Sequence, residues 1–364
     1  MNRKQVVLVE RTVLVIVVVF LLLSVIRVFV GKIRRQEPSV REENQESETA
    51  IEVYEELDDS VILSFAGDCT IGSLLEWQGT NPRDFQSVVG TDYAYPLSGV
   101  RQIFSADDLT MVNLEGTFTT LSDAVSKPYR FKGDPSYVQV LTEGSVEAVS
   151  ASNNHSDDFF EAGVQETLET LNSAGICFAR AGQPMILHLK DDFRIGVVSY
   201  NTVENRNPES IWREAVKADI DRCKEENCNL IIGFMHWGTV EYLPEPEDWE
   251  VAFAHDMADW GCDLIVGGHA HILQRMEYYR DVPIFYSMGN FCYGGNLNPD
   301  DKDSVIVQAE YKMDHETGTP VRTEVRVIPC LISSRTDTND YHPVPCEVGT
   351  DDYIRILDRL EWKE

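Results

Sequence analysis

Residue types that hold metal ions recur at the downstream ends of short apolar runs. Asp68 ends the first, in AGDCTIG; Asn113 and Glu115 end another, in NLEG; Asn153, Asn154 and His155 follow a third, in SNNHSDD. His236 stands in MHWG, His269 and His271 in GGHAH, and Asn290 in SMGNF. Each alone has an ordinary explanation. A strand-end Asp caps a turn or helix, a single His after a strand is a hydrogen-bonded core residue, and an HxH pair that continues a strand faces two ways. As a set, carboxylate, amide and imidazole donors beside small residues suit one or two divalent cations, with Zn, Mn or Fe fitting these donors. Two such ions clamp an oxyanion and acidify bound water.

Side chains this far apart in sequence meet only if the runs that carry them lie side by side. VILSFAGD (61–68), LTMVNLEG (109–116), VEAVSASNN (146–154), ICFARAG (176–182), RIGVVSYN (194–201), NLIIGFMHWG (229–238), DLIVGGHAH (263–271) and PIFYSMGNF (283–291) read as buried strands. Between them, 158–175, 208–227 and 246–261 have helical spacing. In the last, Trp249, Phe253, Met257 and Trp260 share one face. Strand alternating with helix predicts an α/β fold with its site at strand carboxyl ends. Residues 305–332 read as a closing hairpin, so one domain over 60–335 and a tail over 336–364 are expected.

The series AGDCTIG, NLEG, SNNHSDDFFEAGV, MHWGTVEY, GGHAHILQ and YSMGNF resembles the CapA-type capsule biosynthesis proteins. These are implicated in poly-γ-glutamate synthesis and belong with the calcineurin-like metallophosphatase superfamily. The resemblance covers about residues 61–295. It implies a four-layer α/β/β/α sandwich of the metallo-dependent phosphatase type. It also implies that Asp68, Glu115, Asn154, His236, His269 and His271 are metal ligands, with Glu115 as the bridging carboxylate. His155 would assist leaving-group protonation, Asp158 would orient His155, and Glu241 would be the acidic residue of an HWGxE stretch on the substrate side. Two departures stand out. Active metallophosphatases carry Asp-x-His where this chain has Asp68-Cys69-Thr70, so one imidazole is missing and one metal position is weakened. HWGTVEY also carries one residue more before its Glu than HWGxEY does.

Charge bounds the partners. The chain has 31 Lys and Arg against 61 Asp and Glu, a net charge of −30, which excludes a basic nucleic-acid face. The balance is uneven: residues 1–42 hold eight basic and three acidic residues, leaving 23 and 58 in the remainder, or −35. TVLVIVVVFLLLSVIRVFV, residues 12–30, carries one charge, Arg27, and has the length of a bilayer-spanning helix. No small-residue cleavage site follows it. The expected layout is a cytoplasmic segment 1–11, an N-terminal transmembrane helix 12–30 as single-pass anchor in the cell membrane, and an acidic stalk 31–59. An extracellular body follows from the resemblance, since Lys32, Arg34, Arg35 and Arg41 after the span lean the other way. Poly-γ-glutamate is itself anionic, so an acidic body must meet it through local positive charge. Lys127, Arg130 and Lys132 in KPYRFKG bracket two aromatics and are the expected carboxylate contacts. The eight Cys form no CxxC; Cys223 and Cys228 are poorly spaced for zinc, and a Cys330–Cys346 bridge stays open.

Three functions remain open on this reading. One is a membrane-anchored CapA-like protein for biosynthesis, export or attachment of poly-γ-glutamate or a related anionic polymer, with a divalent-metal site and other synthetase subunits as partners. The second is a metal-dependent hydrolase of phosphoester or polymer amide bonds. The third is a non-catalytic scaffold of a synthetase complex.

Overall fold

In β1 (Ser60–Cys69) and its neighbours, alternate side chains enter two different cores, and this period of two sets the layering. The chain is described by a computed structural model that covers residues 60–190, 193–203, 211–314 and 316–363. The expected cytoplasmic segment, transmembrane anchor and stalk lie outside these residues. Among the described residues, no helix is long and apolar enough to cross a membrane.

Two long sheets face each other. The first has seven strands: β16 (Val344–Pro345), β15 (Thr319–Leu331), β14 (Asp303–Asp314), β1, β3 (Leu109–Leu114), β6 (Ala148–Ser150) and β7 (Cys177–Ala179), in that spatial order. The second has six: β12 (Met276–Tyr279), β13 (Val282–Phe285), β11 (Leu264–Gly268), β10 (Leu230–His236), β9 (Arg194–Asn201) and β8 (Met185–His188). Strands β1, β3, β6 and β7 run parallel, as do β9, β10, β11 and β13. Both sheets therefore deliver their carboxyl ends to one side. A small sheet of β2 (Ser73–Leu74), β5 (Phe131–Gly133) and β4 (Thr117–Phe118) lies beside that end.

Phe65, Met111, Val197, Ile232, Phe234, Leu264 and Val266 fill the space between the sheets, with the Phe65 and Phe234 rings 6.4 Å apart. The opposite faces are covered by helices. Ala66, Val112 and Val149 pack under Leu171 of α1 (Phe160–Ala174) and under the short helical turns 85–89, 101–104 and 138–143. Ile231, Met235 and Ile265 pack under Val216 and Ile220 of α2 (Ile211–Glu225) and Phe253 and Met257 of α3 (Asp248–Asp259). The body is thus the expected α/β/β/α sandwich, and the aromatic stripe of α3 does face its sheet. Gly175 closes α1 in the left-handed conformation at φ 76°, which costs glycine nothing.

The C-terminal segment is a correction to the expected tail. Tyr341 is buried 5.2 Å from Phe85, and α4 (Asp351–Arg359) drops Ile356, followed by Leu360, into the inter-sheet core. Arg355 and Arg359 donate to Asp303 at the start of β14, while the Leu360 carbonyl accepts from Met276 of β12. Residues after 335 therefore bind both sheets. Their alternation was hidden because only a few widely spaced side chains turn inward. Cys330 and Cys346 are free thiols; Cys330 lies in the core under the helices and Cys346 packs toward the inter-sheet core, on opposite faces.

Candidate metal centre

At the carboxyl ends of β1, β3, β10 and β11 the chain leaves strand geometry and turns its polar side chains inward. Asp68 comes just after a register shift in β1 and is clamped by backbone: its N–H donates to the Gly289 carbonyl at 2.9 Å, and its carbonyl accepts from Phe291 at 2.8 Å. Gly268 ends β11, and a Cβ there would lie 2.4 Å from Asp68 Oδ1, so only glycine lets the two strands meet. Beyond it, His269 and His271 take left-handed backbone at φ 91° and 58°. Such conformations are uncommon for residues with a Cβ and concentrate at functional sites. Because β11 has already ended, the HxH pair does not alternate; both imidazoles are buried at the same centre.

The donors fall into two groups around Asp68. His271 Nδ1 is 3.6 Å from Asp68 Oδ2, and its Nε2 is 3.8 Å from Glu115 Oε1; the three residues converge to within 4.8 Å. On the other side, His236 Nδ1 lies 3.8 Å from Asp68 Oδ1 and its Nε2 is 2.9 Å from Asn154 Oδ1. His269 is near this second group, with its ring 5.1 Å from that of His236. His155 bonds Asp158 Oδ2 through Nδ1 at 2.9 Å and turns Nε2 toward Glu115 Oε1 at 3.8 Å.

The residues present fit a cation. Both carboxylate oxygens of Glu115 and Nδ1 of His269 are buried without a hydrogen-bond partner. Burial, then the charges of Asp68, Glu241 and Asp158, pushes the Glu115 carboxyl well above its usual range. Burial also raises Asp68, against the pull of His271 and the donors Asn113 and His269 N–H. Burial and neighbouring imidazoles lower His236 well below its usual value and His269 to about 3, while burial lowers His155. Neutral imidazoles and partnerless anionic oxygens are the forms that ligate metal, and an unpaired buried carboxylate is costly without one.

A second set of residues holds this set in place. Asn113 donates to Asp68 Oδ1 at 2.7 Å and is itself held by Asn153 at 3.0 Å. Asn290 accepts from His271 Nδ1 at 2.9 Å, and the buried Tyr293 ring lies 5.0 Å from His271. The strand-end pattern flagged Asn113, Asn153 and Asn290, but Tyr293 and Gly268 carried no signal in their residue type. Glu241 is exposed, close enough to act on the Glu115 carboxyl.

The cations of the 127–133 segment are all engaged internally. Arg130 pairs with Glu76, and Lys132 donates to the Leu121 carbonyl and lies 5.5 Å from the centroid of the Phe159 ring. Lys127 pairs with Asp158 and donates to the Asn154 carbonyl. Only Lys127 of the three therefore touches residues of the centre.

Comparison with known proteins gives the sequence counterpart. A profile of the family described as bacterial capsule synthesis protein PGA_cap matches residues 62–294. The chain is 26% identical over 272 residues to the PGA biosynthesis protein CapA of Bacillus subtilis (strain 168), covering 70% of this chain and 69% of that protein. It is 28% identical over 191 residues to the capsule biosynthesis protein CapA of Bacillus anthracis, covering 47% of this chain and 46% of that protein. Among solved structures, the calcineurin-like phosphoesterase YfkN from Bacillus subtilis is similar at 14% identity and a TM-score of 0.44, covering 78% of this chain and 94% of that one.

Proposed function

The chain belongs to the bacterial capsule synthesis protein family PGA_cap, and from that membership we propose that it serves the making, export or attachment of poly-γ-glutamate or a related anionic polymer through a divalent-metal centre. The observation that carries the metal is the Glu115 carboxylate, buried with both oxygens unpartnered beside Asp68 and His271. Glu115, Asp68 and His271 would hold one ion, and Asn154, His236 and His269 with Asp68 would complete a second position. Such an ion polarises an amide or phosphoryl oxygen and acidifies water.

The chain's own residues supply the rest. Asp158 holds the Nδ1 proton of His155, so Nε2 faces the centre as the atom that exchanges a proton with a leaving group. Burial of Asp68, Glu115, His155 and His236 excludes bulk water and strengthens each charge interaction there. Supporting the anchor is the apolar segment 12–30, which we assign to the cell membrane with the body outside. An outside body places the centre where a finished or growing polymer is handled.

The scaffold reading is favoured by one observation: Thr70 occupies the position of an expected imidazole, and its hydroxyl is buried without a partner. One experiment separates the two. The purified full-length chain should retain about one or two divalent ions, and Asp68→Ala should lose them. In a host deleted for this chain, the native form should restore polymer and Asp68→Ala should not. Polymer restored by Asp68→Ala would establish the scaffold.

A further inference from the structure

The segment 125–131 wraps the buried end of the Asp158 side chain. Val125 N–H donates to the Asp158 carbonyl at 2.9 Å, and Phe131 N–H donates to Oδ2 at 2.6 Å. Oδ2 also bonds His155 Nδ1 at 2.9 Å. Oδ1 has one charged neighbour, the Lys127 ammonium, which also donates to the Asn154 carbonyl. Asp158 is fully buried and the Lys127 side chain is 26% exposed. One ammonium therefore ties together the residue that orients His155 and the backbone of Asn154.

We propose that Lys127 is a positioning residue of the centre, and not a carboxylate contact held in reserve for the polymer. Two consequences follow from its two bonds. The ammonium holds Oδ1 while Phe131 N–H and His155 Nδ1 hold Oδ2, so the carboxylate is fixed at both oxygens and the His155 ring is aimed with Nε2 toward Glu115. Without the ammonium Oδ1 has no partner, the carboxylate turns about Oδ2, and the ring it orients turns with it. Its second bond fixes the Asn154 backbone one residue before His155, which aims Asn154 Oδ1 at His236 Nε2. Outer partners of this kind set both the tautomer and the position of ligands. The sequence logic agrees: Lys127 precedes Phe131 by four residues, and Phe131 donates to Asp158 and sets its ring 4.2 Å from that of His155, tilted by 43°.

This inference rests on the reading that the centre binds metal and that His155 handles a proton. The test uses the full-length chain with 15N-labelled histidine, comparing native, Lys127→Met, Lys127→Gln and Lys127→Arg. 1H–15N spectra follow the His155 ring signals, with His155→Gln identifying them, and titration with Mn2+ alone gives the affinity. Native and Lys127→Arg should share one sharp set of ring signals. Lys127→Met and Lys127→Gln should broaden or split them, as from a ring no longer held in one position, and weaken Mn2+ binding by about tenfold or more. Should Lys127→Met fail to fold, Lys127→Gln carries the same expectation. Native-like ring signals and native affinity in both neutral variants would overturn the proposal. A native chain that takes up no Mn2+ would instead sink the metal reading, and the comparison of ring signals would still decide the role of Lys127.

Discussion

Glu115 is the residue at which the chemistry of this centre is most exposed to test. Its carboxylate has no hydrogen-bond donor among the described residues, so ionising it in the metal-free fold is a net cost. Glu115→Gln removes the charge and keeps the shape. In a chelator, the variant should therefore unfold at the same temperature as the native chain or above it. With Mn2+ added, the native chain should gain more stability than the variant, which keeps only the position of Asn154, His236 and His269. A variant that still responds fully to Mn2+ would remove Glu115 from the ligand set. Asp68 contrasts with Glu115: it already receives an Asn113 N–H and the His269 backbone N–H, so its position is fixed whether or not an ion is present.

At the scale of elements, the centre is a meeting of strand ends that glycines permit. Gly268 closes β11 against the Asp68 carboxylate, and Gly67 lets β1 pass the backbone of residue 289. Gly268→Ala puts a methyl group into the space of Asp68 Oδ1. Relief requires displacing the Asp68 carboxylate from its hydrogen bonds or moving β1 or β11, both buried on two faces, at a cost of about 1–3 kcal/mol. We expect a lower thermal midpoint together with loss of metal binding, read by calorimetry and titration. Unchanged metal affinity would mean that Asp68 shifts freely and does not anchor the centre. The alternating strands and helices around this point were legible because both parallel runs are nearly continuous in Val, Ile, Leu and Phe. Strands β8, β12 and β16 and the small sheet escaped that reading, since each is short and takes its stability from a neighbour.

Across the whole molecule, the buried titratable groups link stability to pH and to metal. Asp68 and Glu115 keep protons in the fold that they lose when unfolded, so the metal-free chain loses stability as pH rises above the ordinary carboxylate range. His236 and His269 run opposite. Their folded values lie below the unfolded value, with His269 near about 3, so stability also falls as pH drops below about 6.5. A cation removes the first cost and competes with protons for the same atoms. The stabilisation by saturating Mn2+ should therefore be larger at about pH 7.5 than at about pH 5.5. At about a hundredfold excess over Kd it should reach about 2.7 kcal/mol. Equal shifts at both pH values would show that the ion binds elsewhere, on the acidic surface.

By itself the sequence determined the α/β class, the helix faces and which donors end which strands, because strand burial and helix periodicity are local patterns. It also marked an acidic body and an apolar segment at 12–30. Whether the two histidines of GGHAH face one centre was decided only by tertiary structure, since the end of β11 at Gly268 depends on the Asp68 carboxylate arriving from another sheet. The same holds for Lys127, Arg130 and Lys132. In sequence they are three equivalent cations near aromatics. In the fold their partners are Asp158, Glu76 and the Leu121 carbonyl, the first two brought to them across tens of residues and the last from 11 residues away. Charge is written in the residue type, but what neutralises it is set by which distant groups the packing leaves within hydrogen-bond reach.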